Sequence, residues 1–150
     1  MAEPKFVPKP GQVDYTNIRY APVVNVVVAH GGKILLVKRS ADMRLYPGYW
    51  NNIAGFLDDD RDVKDKVCEE LYEELGLSKS DVVKLTIARP LCQEAPEYNK
   101  TWLVIPVLAN VKTANFKLDW EAAEAKWFVP NETRSLKLLP GFAEVLAQFF

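Results

Sequence analysis

Asp62-Val63-Lys64-Asp65-Lys66-Val67-Cys68-Glu69-Glu70-Leu71-Tyr72-Glu73-Glu74-Leu75-Gly76-Leu77 is the stretch from which the rest of the chain can be read. Val67, Leu71 and Leu75 recur every four residues, with Cys68 and Tyr72 beside them, a spacing that lays one apolar stripe along a helix. Asp62 suits the N-cap, where a side-chain oxygen accepts from a free backbone N–H, and Gly76 suits the left-handed turn that ends a helix. Glu70, Glu73 and Glu74 stand at i, i+3 and i+4, so the same helix gathers their carboxylates on one face at the edge of the stripe. Crowded like charges repel. Spacing alone leaves two readings open: the solvated face usual for a Glu-rich helix, or a face whose charge is offset by a hard divalent cation such as Mg²⁺, which prefers oxygen ligands.

Upstream, Asn52-Ile53-Ala54-Gly55-Phe56 runs into the acidic turn Asp58-Asp59-Asp60, and a loop with Pro47-Gly48 in its second half lies between Arg39 and Asn51. Before that loop, the β-branched run Val23-Val24-Asn25-Val26-Val27-Val28 and the run Ile34-Leu35-Leu36-Val37 flank Gly31-Gly32, the pattern of a hairpin of buried strands. Downstream, residues 82–92 and 101–111 are predicted as strands, joined by a loop holding Pro96 and Asn99, and Lys126-Trp127-Phe128-Val129 as a short last strand. An amphipathic helix is expected from about Gly141 to Phe150. Strands interrupted by one long helix and closed by another predict an α/β domain in which helices cover a mixed sheet. Residues 1–12, with Pro4, Pro8 and Pro10, are expected to form an irregular arm, packed on a partner subunit or loose, and residues 13–150 a single domain.

Composition is consistent with this plan. The chain has 150 residues, 49% hydrophobic and 26% charged, which is enough for one ordinary domain with its own core. A formal net charge of −1 argues against an extended nucleic-acid surface. An anionic ligand would have to be met locally. No apolar run approaches the roughly 20 residues that cross a bilayer, and the N-terminus has no hydrophobic signal segment, so no membrane partner and a cytoplasmic location are expected. Cys68 and Cys92 lack CxxC spacing and are expected to be buried, reduced thiols. His30, at a hairpin end, is expected to be structural.

Residues 55–77 resemble the Nudix box: a Gly, five residues, a Glu, seven residues, then Arg-Glu-aliphatic-any-Glu-Glu-any-Gly-aliphatic. Gly55, Glu70, Leu71, Glu73, Glu74, Gly76 and Leu77 are in register. Two positions depart as a pair, with Arg61 where the family has its first Glu and Glu69 where it has its Arg. In the family these two side chains bridge the loop to the helix; the exchange would keep such a bridge with its signs reversed, or else leave two unrelated exposed side chains. Ala54 stands where many members have a second Gly. The Leu35-Leu36-Val37-Lys38-Arg39 and Pro47-Gly48-Tyr49-Trp50 segments, and Glu121 ahead of Trp127, are also similar to the family's layout.

The resemblance implies a Nudix-like α/β/α sandwich with a mixed β-sheet between helices. It implies a hydrolase that cleaves a diphosphate linkage in a nucleoside diphosphate joined to another moiety X, using Mg²⁺ or Mn²⁺. Glu70, Glu73, Glu74 and the Ala54 carbonyl would hold the metal, and Glu73, Glu74 and Glu121 would carry the catalysis. Glu121 is expected as the loop carboxylate, with Glu124, Glu94 and Glu97 as competitors for that role. Arg39 and Arg44, with Lys38 as a further candidate, would clamp phosphate oxygens or else lie in solvent. Trp50, with Tyr46, Tyr98 and Trp102, would stack on a base or else belong to the core. A homodimer is compatible with the arm. The rival reading is a Nudix-fold module that binds a nucleotide without turning it over. An isopentenyl-diphosphate isomerase-like enzyme, on a related fold, needs several metal-binding histidines, and this chain has 1.

Overall fold

In the computed structural model the structure describes residues 6–150. Within them run β1 (Tyr20–His30), β2 (Lys33–Arg39), β3 (Trp50–Asn51), β4 (Ile53–Phe56), α1 (Val63–Leu75), β5 (Val82–Ile87), β6 (Leu91–Ala95), β7 (Lys100–Val111), β8 (Ala122–Phe128) and α2 (Phe142–Leu146). Among the described residues these strands form one sheet with the path β3-β2-β1-β7-β5, on which β4 pairs with β1, β6 with β7 and β8 with β2. The sheet is mixed: β1 and β7 run parallel from Tyr20↔Thr101 to Ala29↔Asn110, and the other pairings are antiparallel.

Each face of the sheet has its own core. On one face, Val67, Leu71 and Leu75 of α1 are fully buried against Val24, Val26 and Val28 of β1 and Val107 and Ala109 of β7. Each such side chain contributes about 1.5–3 kcal/mol of burial free energy. On the other, Phe142 and Val145 of α2 pack with Val27, Leu36, Trp50 and Trp102. Helix, sheet, helix is therefore the order of layers, and the fold is the α/β Nudix-like sandwich expected from the sequence. No helix among the described residues is long and apolar enough to cross a membrane.

The ends of α1 follow the sequence closely. Asp62 caps it by accepting from the Asp65 N–H at 2.8 Å, and Gly76, at φ 68°, closes it in the left-handed region. The departures lie elsewhere. Residues 82–92 are not one strand, because Pro90 offers no N–H to a ladder, and the chain re-registers on β7 from Ile87↔Val107 to Leu91↔Val104. The last strand begins earlier than predicted, at Ala122, and the last helix stops at Leu146 with irregular turns beyond it. Both cysteines are free, but neither is fully buried: Cys68 is half-buried and Cys92 is exposed. Tyr72, beside the apolar stripe, also points to solvent.

Residues 1–5 of the expected arm lie outside the described residues. From Phe6 onward the arm is irregular and lies on its own domain, where the Val13 N–H donates to the Asp58 carbonyl at 2.6 Å and Gln12 Nε2 to Asp58 Oδ2 at 2.8 Å. Lys100 Nζ reaches the carbonyls of Tyr15, Thr16 and Ile18 and fastens the segment that follows.

Candidate active site

One face of α1, strands β1, β4 and β7 and the loop that follows β2 enclose a cavity of about 380 Å³. One wall is acidic, with Glu69, Glu70 and Glu73 from α1 and Glu121 from the turn before β8. Another is basic, with Arg39 and Arg44, and a third is apolar, with Phe56, Trp102 and Tyr46. Ala54 and Gly55 form the floor between them.

Gly55 is required by the helix that faces it. A Cβ on residue 55 would fall 2.3 Å from Glu70 Cδ, so only a bare backbone lets β4 and the Glu70 carboxylate share this space. Glu70 is 8% exposed. Burial raises its pKa despite the opposing attraction of Lys66. Glu74 goes further: burial, then the nearby carboxylates of Glu121 and Glu70, push it well above the usual range. Its Oε2 is buried with no hydrogen-bond partner among the described residues. Glu121 lies within hydrogen-bonding reach of Glu74, and burial, followed by repulsion from Asp119, raises its pKa to about 7. Glu73 is exposed to the cavity and is raised by burial and by Glu69.

Single carboxyl oxygens of Glu69, Glu70 and Glu73 lie within 4.8 Å of one another. This trio differs from Glu70, Glu73 and Glu74, because Glu74 turns inward toward Glu121 while Glu69 faces the cavity. Arg61 grips Asp59 through Nε at 2.9 Å and donates through Nη1 to Glu69 Oε2, so the reversed pair is in contact between loop and helix. The Arg61 hydrogen bond holds the Glu69 carboxyl below its ordinary pKa.

Arg39 owes its position to an irregularity. The pairing of β2 with β8 shifts register between Lys38 and Arg39, a bulge that re-aims the side chain, and Arg39 Nε then donates to the Leu45 carbonyl at 2.8 Å. Lys38 instead lies 3.9 Å from Glu124 and outside the cavity lining. Glu94 is engaged by Arg19 and Thr101, and neither it, Glu97 nor Glu124 lines the cavity, whereas Glu121 does.

The aromatic candidates separate in the same way. Trp102 and Tyr46 line the cavity and are tied together by Trp102 Nε1 donating to Tyr46 Oη at 3.2 Å. Tyr98 supports Tyr46 from behind by accepting its backbone N–H. Trp50 does not reach the cavity. It is 9% exposed and packs edge-on to Phe128, so its place is in the second core and not on a base. His30 binds the Val111 carbonyl through Nδ1 at 2.9 Å, a structural contact.

Several residues of the site carried no signal in the sequence reading. Phe56, Asn25, Asn51 and Gln93 come into the cavity only through the sheet's register. Lys66 had a detectable one: it lies at i+3 and i+4 spacing from Glu69 and Glu70 on the buried side of α1.

An acidic helix set against a mixed sheet in an α/β/α sandwich, opening on a cavity with arginines and aromatic rings, defines the class of Nudix-fold proteins. The chain belongs to the NUDIX domain family, which matches residues 19–149. A MutT NUDIX hydrolase from Burkholderia pseudomallei superposes with a TM-score of 0.75 at 20% identity, covering 88% of this chain and 99% of that one. The NUDIX domain of Shewanella oneidensis NrtR, complexed with ADP ribose, gives 0.71 at 17% identity over 86% of this chain and 85% of that one. A C. elegans Ap4A hydrolase binary complex gives 0.65 at 22% identity over 88% and 95% respectively. These likenesses establish the shared fold. No curated protein matches the chain at a significant level.

Proposed function

We propose that this chain is a Mg²⁺-dependent pyrophosphohydrolase that cleaves the diphosphate linkage of a nucleoside diphosphate joined to another moiety X. The observation that carries the reading is the carboxyl cluster Glu70–Glu74–Glu121, in which Glu74 Oε2 is buried without a donor among the described residues and Glu70 and Glu121 line the same cavity as Arg39 and Arg44. Carboxylates this close together and largely shielded from water need a proton or a cation between them. The donor set is all oxygen, which fits Mg²⁺ or Mn²⁺ and not a thiophilic metal.

Glu70, Glu73 and Glu74, with the carbonyl of Ala54, would hold the ion. Bound there, it supplies charge to offset the diphosphate and lowers the pKa of a water. Arg39 and Arg44 grip the diphosphate oxygens and orient the linkage. Glu121 accepts the proton of the attacking water, a role suited to a carboxyl whose pKa lies at about 7. Trp102, Phe56 and Tyr46 give the nucleoside an apolar wall. ADP ribose and diadenosine tetraphosphate, the compounds associated with two of the relatives, are reasonable first substrates.

Screening nucleoside diphosphate derivatives with Mg²⁺, Mn²⁺ or EDTA, and identifying products by mass, tests the reading. Metal-dependent release of a nucleotide is the expected result. Binding of a nucleotide without turnover across the panel would favour the sensor reading instead.

A further inference from the structure

Lys66 is 4% exposed, and its ammonium lies 3.3 Å from Asp58 Oδ1, 3.3 Å from Glu69 Oε1 and 3.3 Å from Glu70 Oε1. An ammonium has three N–H donors and here meets three carboxylates. Two of the three remaining oxygens of this corner are also committed: Glu69 Oε2 accepts from Arg61 Nη1 and Asp58 Oδ2 from Gln12 Nε2. Asp58 is itself only 6% exposed. The corner is thus built from both the loop and the helix, and two cations, Lys66 and Arg61, hold its three carboxylates.

We propose that Lys66 is a positioning residue that serves as the resident cation of the Asp58–Glu69–Glu70 corner. It withdraws Glu69 from metal binding and confines divalent ions to the Glu73, Glu74 and Glu121 side of Glu70. Glu69, Glu70 and Glu73 stand close enough for a shared ion on distance alone. In this chain an ammonium and a guanidinium hold Glu69 instead. Removing the ammonium leaves Asp58, Glu69 and Glu70 with the Arg61 guanidinium on Glu69 as their one remaining named cation, and a divalent ion can take the vacated place. The inference rests on the metal-dependent reading of the same site.

The test is a count of bound Mn²⁺ per folded protein, by electron paramagnetic resonance of free Mn²⁺ and by calorimetry. It compares wild type with Lys66→Met, Lys66→Arg and the surface control Lys79→Met. Lys66→Met is expected to bind one ion more than wild type, and Lys66→Arg and Lys79→Met the wild-type number. In EDTA, Lys66→Met should melt on the order of 5–10 °C lower, because buried carboxylates lose their partner, and Mn²⁺ should raise its melting point more than it raises that of wild type. Should Lys66→Met fail to fold, Lys66→Met with Asp58→Asn removes one charge of each sign and is expected still to gain the ion through Glu69 and Glu70. An unchanged Mn²⁺ count in whichever of these variants folds overturns the proposal. A wild type that binds no Mn²⁺ defeats the metal-dependent reading, and the gain or lack of an ion in the Lys66 variants still decides the role of Lys66.

Discussion

Gly55 and Glu70 are in such close apposition that a methyl group on residue 55 would lie 2.3 Å from the Glu70 Oε1 and Cδ atoms. The glycine therefore fixes where the carboxylate stands. Gly55→Ala should push Glu70 away from the floor of the cavity, at an overpacking cost of about 1–3 kcal/mol. Mg²⁺ affinity measured by calorimetry should fall at least about tenfold, the loss associated with displacing a ligand's support. Unchanged affinity would show that Glu70 does not hold the ion.

In the absence of metal, stability should depend on pH through the raised carboxyls. Glu121 in the folded chain titrates at about 7, above its value of about 4.3 when unfolded. A group raised on folding contributes stability fully below its unfolded pKa, and that contribution is lost as pH rises through the folded one. Urea denaturation in EDTA should therefore show the protein losing on the order of 2 kcal/mol between pH 4.5 and pH 8. The shifts of Glu70, Glu73 and Glu74 act in the same direction. Glu121→Gln should flatten the slope, and Mg²⁺ should stabilise more at pH 8 than at pH 5.

The reversed Arg61–Glu69 pair and Lys66 should be energetically inseparable. Arg61→Glu with Glu69→Arg restores the family's signs, but it sets a guanidinium beside the Lys66 ammonium, which now touches Glu69 Oε1 at 3.3 Å. The double variant should lose about 3 kcal/mol of unfolding free energy, as expected for a buried charge left facing a like charge. The same exchange in a Lys66→Met background should lose at most about 1 kcal/mol relative to Lys66→Met alone. Chemical denaturation of the four proteins decides it, and a wild-type-like double variant would refute the link.

Two residues expected on sequence grounds to touch substrate should behave differently. Trp50 lies in the second core against Phe128, so Trp50→Ala should lose about 3–5 kcal/mol of stability. Its KM should stay near wild type at temperatures where the variant is folded. Arg44 lines the cavity, so Arg44→Ala should raise KM about tenfold or more at temperatures where the variant is folded.

What could be read in advance was whatever periodicity and motif register control. The stripe Val67-Leu71-Leu75, the Asp62 cap, the Gly76 stop and the hairpin around Gly31-Gly32 depend on neighbours in sequence, and the structure has them all. The break at Pro90 was visible in the residue itself but is set by how β5 and β6 meet β7. The inward turn of Glu74, the aim of Arg39 and the withdrawal of Trp50 depend on contacts far apart in the chain: the approach of Glu121, a bulge against β8, and the packing of Phe128. The burial of Lys66 is not legible in the sequence, because a lysine in a charged helix is usually solvated, and here the loop carboxylate of Asp58 draws it inside.

The most direct measurement is the Mg²⁺-dependent kcat of Glu73→Gln with Glu74→Gln, using the best substrate from the nucleotide panel and protein shown to be folded. These changes keep the side-chain shapes and remove the charges. Turnover should fall by about 10³-fold or more, with Mg²⁺ affinity falling in parallel. A double variant that turns over substrate at the wild-type rate would contradict the assignment of the acidic helix as the catalytic centre.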